Sequence, residues 1–482
     1  MADPVARRGR VLDEWRAGLN LERGEARRGE DNLVALWSGF VLVLMLLYLM
    51  IGQTPYQHEV TLDPLTGAAV ASPLNRIIWL GLLGLATPIF WFRRGEILDM
   101  TKRLWPLLLL FGWFAATTRW AIDPATSNKR LVLYIINLLV AVALVAGLRD
   151  ARRMHAALAT ACAIIIIIDL GSWILMPAKS MSVLGLAAIH NHKNTLGSVM
   201  LLSSLVISPY VLFQPRLSAR LFWGAMFLGC VALLIGSKSK TSMAIVLVSL
   251  GVIPVLLIAL RLRTAALHAL LITAGLALVA VIFGWLAWCY ARGLDPLYPL
   301  RDVTFTQRTD VWRFALDQFS RQPLKGLGFA SFWDVDPKVQ PSLQTDEWFA
   351  QPNSYTNESH NGYIDLLVTT GVFGLIGALL LLARWTFRGL ALTRRSLMAP
   401  AGEIQQALPH NLFLGVFPLM FFIHNWMESS YFTANAMYGI IILLVGIDID
   451  MRHAREPHAI EPRARRALAL SEPRLLPPGW RS

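Results

Sequence analysis

His360 and Asn361 stand where a polar stretch gives way to an apolar run, in the segment NESHNGYIDLLVTTGVFGL from Asn357 to Leu375. An imidazole is the usual proton acceptor near neutral pH. At the wet end of a membrane helix it would meet both a lipid-borne and a water-borne reactant. Gly371, Gly374 and Gly377 follow. Small residues at this spacing let a helix pack closely on its neighbours, so the segment reads as a rigid helix carrying a titratable end. Arg308 precedes the stretch TDVWRFALDQFS (Thr309–Ser320). Arginine at a helix N-terminus suits a phosphate, although a solvated arginine on lipid headgroups fits the same position. His192 and Lys193, in AIHNHKN, and Lys238 and Lys240, in GSKSKTS, are further phosphate candidates. Snorkelling at helix ends is their bland alternative.

Behind these groups, Asn361, His424, Glu428 and Asp169 are the expected supporting residues. His424 and Glu428 are four apart and would share a helix face. Asp169 follows an isoleucine run, and a carboxylate there needs a partner, for which Lys193 or Lys240 is available. A zinc site built from His190, His192, His360 and His424 is conceivable, but no ligand spacing supports it, so no metal and no cofactor is expected. Neighbouring cations are expected to lower the His360 pKa and leave a free base at neutral pH.

The elements that must position these groups are membrane helices. The chain has 482 residues, 55% hydrophobic and only 16% charged, against about one quarter charged in a soluble chain. Apolar runs near 33–51, 77–92, 104–118, 131–148, 156–176, 195–213, 221–236, 242–260, 267–288, 363–383, 412–427 and 433–449 predict an all-α polytopic membrane protein with about 12 transmembrane helices. Residues 1–32 form a basic cytoplasmic N-terminus without the apolar core of a cleaved signal. Residues 33–288 carry helices one to nine, 289–362 one long periplasmic loop, 363–449 helices ten to twelve, and 450–482 a disordered cytoplasmic tail. Under this orientation 29 of the 44 Lys and Arg lie inside and 15 outside, which obeys the positive-inside rule. The net charge of +13 is thus mainly topogenic, and nucleic acid is not an expected partner. Cys162, Cys230 and Cys289 form neither a disulfide framework nor a metal pattern.

The outer side holds the exceptions to that rule, and the long loop is the largest. Its stretch Thr309–Ser320 puts Val311, Trp312, Ala315 and Phe319 on one face, which predicts an amphipathic helix lying on the outer membrane surface. Phe329, Phe332 and Trp333 are expected to dip into the interface, and 334–359 to form a mobile flap.

Four of these stretches resemble the O-antigen ligase and polymerase superfamily, bacterial membrane glycosyltransferases of the C-type. The resemblance covers roughly residues 185–385. It rests on His360-Asn361 with Gly371, on His192-Lys193-Asn194 with Gly197, on Ser237-Lys238-Ser239-Lys240-Thr241, and on Arg308 and Trp312 followed by Pro323 and Gly326-Leu327-Gly328. It implies an undecaprenyl-diphosphate-linked glycan as donor and a glycan or lipid A-core acceptor. It also implies inverting, metal-independent transfer at the periplasmic face of the bacterial inner membrane, among membrane lipids and alongside a chain-length regulator. His360 would be the base on the acceptor, and Arg308 and Lys240 would hold the leaving diphosphate. Lys240 stands where the family often has Arg, and Ile376 where ligases show Thr. The wording around Gly326 to Trp333 and HNGYIDLL is closer to the exopolysaccharide polymerases. The rival reading is a membrane transporter of a small anion or glycan, which would show internal repeats and helices broken near the midplane. Neither is visible in the sequence.

Overall fold

The computed structural model describes residues 29–57, 74–262, 264–293, 308–351, 354, 356–433 and 436–455. The N-terminal 28 residues lie outside them; of the tail expected to be disordered from 450 to 482, residues 450–455 are instead helical, with Asp450 and Arg452 buried, and the rest lies outside the described residues. The chain is helical almost throughout: α1 (Gly29–Ile51), α2 (Leu74–Phe92), α3 (Arg94–Arg103), α4 (Trp105–Thr117), α5 (Pro124–Gly147), α6 (Ala151–Leu175), α7 (Pro177–Ser180), α8 (Lys193–Phe213), α9 (Leu217–Ser237), α10 (Lys240–Ala259), α11 (Thr264–Arg292), α12 (Arg308–Ser320), α13 (Gly362–Met398), α14 (Glu403–Gln406), α15 (Leu408–Met427) and α16 (Met437–Arg455). A two-stranded hairpin of β1 (Met181–Ser182) and β2 (Gly185–Leu186) precedes α8. In lipid every backbone polar group must be satisfied within the protein, and helices do this with their own ladder.

Among the described residues eight helices are long and apolar enough to cross a membrane: α1, α2, α5, α6, α8, α9, α10 and α13. The other four expected spans fall on α4, α11, α15 and α16. Helix starts are written in the sequence. Asp123 accepts from the Thr126 N–H ahead of Pro124, Asp150 accepts from Arg152, and Asn361 accepts from Tyr363 and Ile364, each a side-chain cap on otherwise orphaned donors.

α13 and α15 pack backbone to backbone. A Cβ added to Gly389 would collide with the Leu414 carbonyl, and one added to Gly415 with Thr393 Oγ1. At the far end of the bundle from His360, ion pairs fasten the helices. Asp450 on α16 binds Arg384 at 3.0 Å and Arg388 at 2.5 Å on α13, Asp448 binds His410 at 2.6 Å and Arg452 at 2.8 Å, and Glu96 takes Arg149 and Arg455.

Four expectations are corrected by packing. The apolar face of α12 does not lie on lipid. Val311 and Ala315 are buried with Phe332, Trp333, Phe349 and Val368, the last on α13. The loop has enough aromatic residues to build its own small core, and closing it removes apolar surface from water. Phe329, Phe332 and Trp333 are therefore interior rather than interfacial. The expected flap is folded over the same core, with Gln340, Ser342 and Phe349 buried.

The fourth correction concerns Gly371. It does not continue a rigid helix: α13 breaks there, with φ 69° and ψ −174°, a backbone region open essentially to glycine alone. The turn Pro323–Gly328 fills the break. Leu327 N–H donates to Val368 O at 2.9 Å, Gly328 N–H to Thr369 O at 2.8 Å, and Val372 N–H to Pro323 O at 3.0 Å. Trp113 Nε1 donates to Thr370 O at 2.9 Å. The carbonyls released by the break thus find donors from the loop, which welds the loop to α13. A broken helix therefore exists, contrary to the reading of the sequence, but loop backbone rather than an open cavity occupies it. Gly377 does serve close packing: a Cβ added there would lie 3.0 Å from Leu110 of α4.

Candidate active site

Asn361 caps α13, and the residues before it are clamped from several directions. Ser359 Oγ donates to Asn361 O at 2.9 Å, and the Ser359 N–H points at the Asp365 carboxylate at 3.2 Å. Trp312 Nε1 of α12 donates to Ser359 O at 2.8 Å. Between these clamps His360 is held at φ +52°, a left-handed conformation that a non-glycine residue adopts at a cost and that surrounding structure must enforce. The side chain is about one third exposed, at 36%.

Its Nδ1 lies 2.8 Å from Glu358 Oε1 and 3.3 Å from Glu428 Oε2. The chain leaves α15 at Met427, and Glu428 is extended (φ −147°, ψ 147°). Glu428 thus leaves the helix and its carboxylate reaches His360, so no shared helical face with His424 is formed. Arg308, the first residue of α12, approaches the same carboxylate: Nη2 is 3.5 Å from Glu428 Oε1, and Nη1 donates to Met427 O at 2.6 Å. Three stretches far apart in sequence, at 308, 360 and 428, meet on one glutamate. Asp365 braces the assembly by accepting from Trp333 Nε1 at 2.9 Å and from Ser429 Oγ.

The electrostatics reverse the expectation from sequence. Burial pulls the His360 pKa down, but hydrogen bonds to Glu358 and Glu428 and their charges outweigh it and raise the value from 6.5 to about 9. The nearest charges to the ring are carboxylates, not Lys or Arg. Burial raises the Glu358 carboxyl. Burial also opposes ionisation of Glu428, yet its bond to His360 and the charges of His360 and Arg308 hold it below the usual range.

The lysine group gathers separately. Lys238 caps α9 in a left-handed conformation (φ +53°) and Lys240 opens α10; both are exposed. A Cβ on Gly197 would be 2.7 Å from Ser239 Cβ, so this turn packs on the first turns of α8, which begins at Lys193. His192 caps α8 by accepting from Asn194 N–H at 3.2 Å. His424 packs between them, its ring centroid 4.2 Å from that of Tyr438, whose OH donates to Ser198 O of α8 at 2.7 Å. Asp169 is not served by a lysine. It is buried against His190, with Nε2 at 3.1 Å, because the hairpin before α8 brings His190, not Lys193, over the end of α6.

Glu358 was not singled out from sequence, although an extended chain places residues i and i+2 on one side, which would have paired it with His360. Asp365, one turn into α13, carries no mark in the sequence, because its partners Trp333, Ser359 and Ser429 reach it only through the fold. Glu358, His360 and Glu428 offer three ligand atoms within 4.8 Å of one another, a set able to hold a metal ion. The guanidinium of Arg308 against Glu428 already supplies a positive charge there.

The fold and this site define a multi-pass membrane protein with a cluster of titratable groups at the N-terminal end of α13. Residues 224–379 match the family model described as O-antigen ligase, a stretch that takes in Lys240, Arg308, His360 and Gly371 and ends before Glu428. The chain is also similar to the exopolysaccharide production protein ExoQ of Rhizobium meliloti (strain 1021), 24% identical over 319 residues, which are 64% of this chain and 70% of that protein. These matches support an O-antigen ligase/polymerase-like protein.

Proposed function

We propose that this protein is a surface-polysaccharide polymerase or ligase that transfers a glycan from an undecaprenyl-diphosphate-linked donor to an acceptor hydroxyl, with inversion and without a cofactor. The observation that carries the reading is the convergence of Arg308 and His360 on Glu428 at the N-terminal end of α13. In the proposed reaction the acceptor hydroxyl loses its proton to neutral His360, its oxygen forms a bond to the anomeric carbon, and the bond from that carbon to the diphosphate oxygen breaks. Arg308 stabilises the departing diphosphate, with Lys240, Lys238, Lys193 and His192 along its path. General-base help and electrostatic stabilisation of the leaving group are the two contributions such a transfer needs. Glu358 and Glu428 orient the imidazole and receive part of its positive charge.

The proposed setting is the bacterial inner membrane, with both termini cytoplasmic and the site facing the periplasm. The likeness to an exopolysaccharide production protein favours a glycan acceptor over a lipid A core, and a chain-length regulator is the proposed protein partner.

Purified protein incubated with lipid-linked oligosaccharide should give elongated or transferred glycan. His360→Gln, which keeps a hydrogen-bonding end but accepts no proton, should abolish transfer while donor binding persists. Donor binding lost together with activity would make His360 a binding residue, and full activity in the Gln variant would remove the base role.

A further inference from the structure

Beside the His360 cluster lies a cavity of about 310 Å³. Its wall joins α5, the loop before α13, α13 itself and the segment after α15. Trp333, Tyr431 and Phe432 supply aromatic surface, and Asp334, Glu358 and Asp365 supply carboxylates. The volume is at the lower end of small-molecule sites, which run from about 300 to about 1,000 Å³.

The cavity is built rather than incidental. Arg130 of α5 donates to three backbone carbonyls of the turn that forms one wall, Ala330 and Trp333 at 2.7 and 2.8 Å and Asp334 at 2.6 Å. Three wall residues, Ala330, Asp334 and Phe432, hold left-handed φ of 49°, 51° and 57° without being glycine. Such strain persists where the surroundings over-determine it and gathers at ligand sites. Stacked rings hold the wall from behind: Phe114 on Phe329 at 4.7 Å, and Tyr431 on Phe432 at 4.3 Å.

The chemistry of the lining selects its occupant. Three carboxylates line the cavity against the single guanidinium of Arg130, a net negative lining that disfavours a diphosphate. Carboxylates accept hydrogen bonds from hydroxyl groups, and aromatic rings pack on the apolar faces of a sugar. Glu358 belongs both to this wall and to the His360 cluster, where its Oε1 is 2.8 Å from Nδ1. A sugar seated here therefore lies against Glu358, the side chain that stands between the cavity and His360 Nδ1.

We infer that this cavity is the acceptor subsite, taking the uncharged terminal sugar ring of the acceptor glycan. This rests on the glycosyl-transfer reading and adds to it where the acceptor sits and which sugars it admits. The test uses repeat-unit oligosaccharides released by mild acid from the surface polysaccharide of the producing cell. Their binding to purified full-length protein is read by saturation-transfer NMR. Signal is expected from the wild-type protein and should be unaffected by inorganic pyrophosphate. It should fall at least about tenfold in Leu133→Trp, which fills the cavity from a part-buried position on α5 and touches none of the proposed reacting groups. The same oligosaccharides with the terminal primary hydroxyl oxidised to carboxylate should bind at least about tenfold more weakly. No signal in the wild type, an unchanged signal in Leu133→Trp, or displacement by pyrophosphate would overturn the assignment, and equal binding of the oxidised form would overturn the selection for an uncharged ring. Oligosaccharide binding as expected with no glycan transfer from a lipid-linked donor would instead count against the proposed reaction and leave the subsite standing.

Discussion

The raised pKa of His360 makes a demanding prediction for Glu428→Gln. If neutral imidazole is the base, the wild-type kcat/KM should climb with pH through an apparent pKa near 9, well above the ordinary value of about 6.5. With a pKa of about 9, only on the order of one per cent of the imidazole is neutral at pH 7. Replacing Glu428 removes one of the two carboxylates that raise it, so the pKa must fall. Each unit of fall raises the neutral fraction at pH 7 roughly tenfold. Glu428→Gln should therefore move the rising limb to lower pH and, per molecule with bound donor, increase rather than decrease turnover at neutral pH. Freeing Arg308 from Glu428 also leaves its guanidinium available to the diphosphate. Glu358→Gln should shift the limb in the same direction, and the limb belongs to the coupled cluster rather than to His360 alone. The stability consequence has the opposite sign. A group whose pKa is raised on folding contributes stability that is complete below its unfolded value and lost as pH rises through the folded one. Thermal stability should thus decline from about pH 6.5 through about pH 9 in the wild type, and decline less in Glu428→Gln. The assay is kcat/KM for glycan transfer from about pH 5.5 to about pH 10 on both proteins. A limb that stays put in both variants, or activity that falls as pH passes 9, would refute the base assignment, the latter making the imidazolium the working form, whereas a wild-type limb at the unperturbed imidazole value would refute the upward hold of Glu358 and Glu428 on the ring.

Arg308→Ala should reduce turnover about ten- to a hundredfold with normal folding, since a charge-assisted phosphate contact contributes roughly 1.5–3 kcal/mol; turnover at the wild-type level would leave Arg308 a structural tie to Met427 and Glu428. Gly371→Ala should destabilise the protein by roughly 1–3 kcal/mol from backbone strain alone, and by more because its Cβ would collide with Leu324 O; monomer survival in a thermal ramp would measure it, and an unchanged profile would mean that the break is not needed. A cysteine at Asp346, exposed on the long loop, should react with a membrane-impermeant maleimide in intact spheroplasts, against buried Cys162, Cys230 and Cys289; labelling only after lysis would reverse the topology. Dialysis against a chelator should leave transfer intact, because Arg308 already neutralises Glu428; loss of activity restored by a divalent cation would assign Glu358, His360 and Glu428 to a metal.

The sequence by itself determined the class of molecule and where its helices lie, although α5 and α6 begin at Pro124 and Ala151, ahead of the apolar runs near 131 and 156. Long apolar runs have no stable form in lipid except helices, and capping residues such as Asp123, Asp150 and Asn361 mark helix starts through contacts no more than three residues away. For the same reason His360 was legible as the wet end of a helix. What surrounds it was not. Glu428 meets His360 across 68 residues and Arg308 across 120, and only the exit of the chain from α15 aims that carboxylate at the imidazole. The sign of the His360 shift followed from those neighbours, so a forecast built on nearby cations failed. Gly371 looked like a packing glycine, because a break is set by donors that arrive from Pro323–Gly328 rather than by the helix itself. The face of α12 looked ready for lipid, because periodicity reports that a face is apolar and not what covers it. Phe332, Phe349 and Val368 covered it. Local chemistry thus set the elements, and long-range packing set the charges and partners that the elements bring to the site.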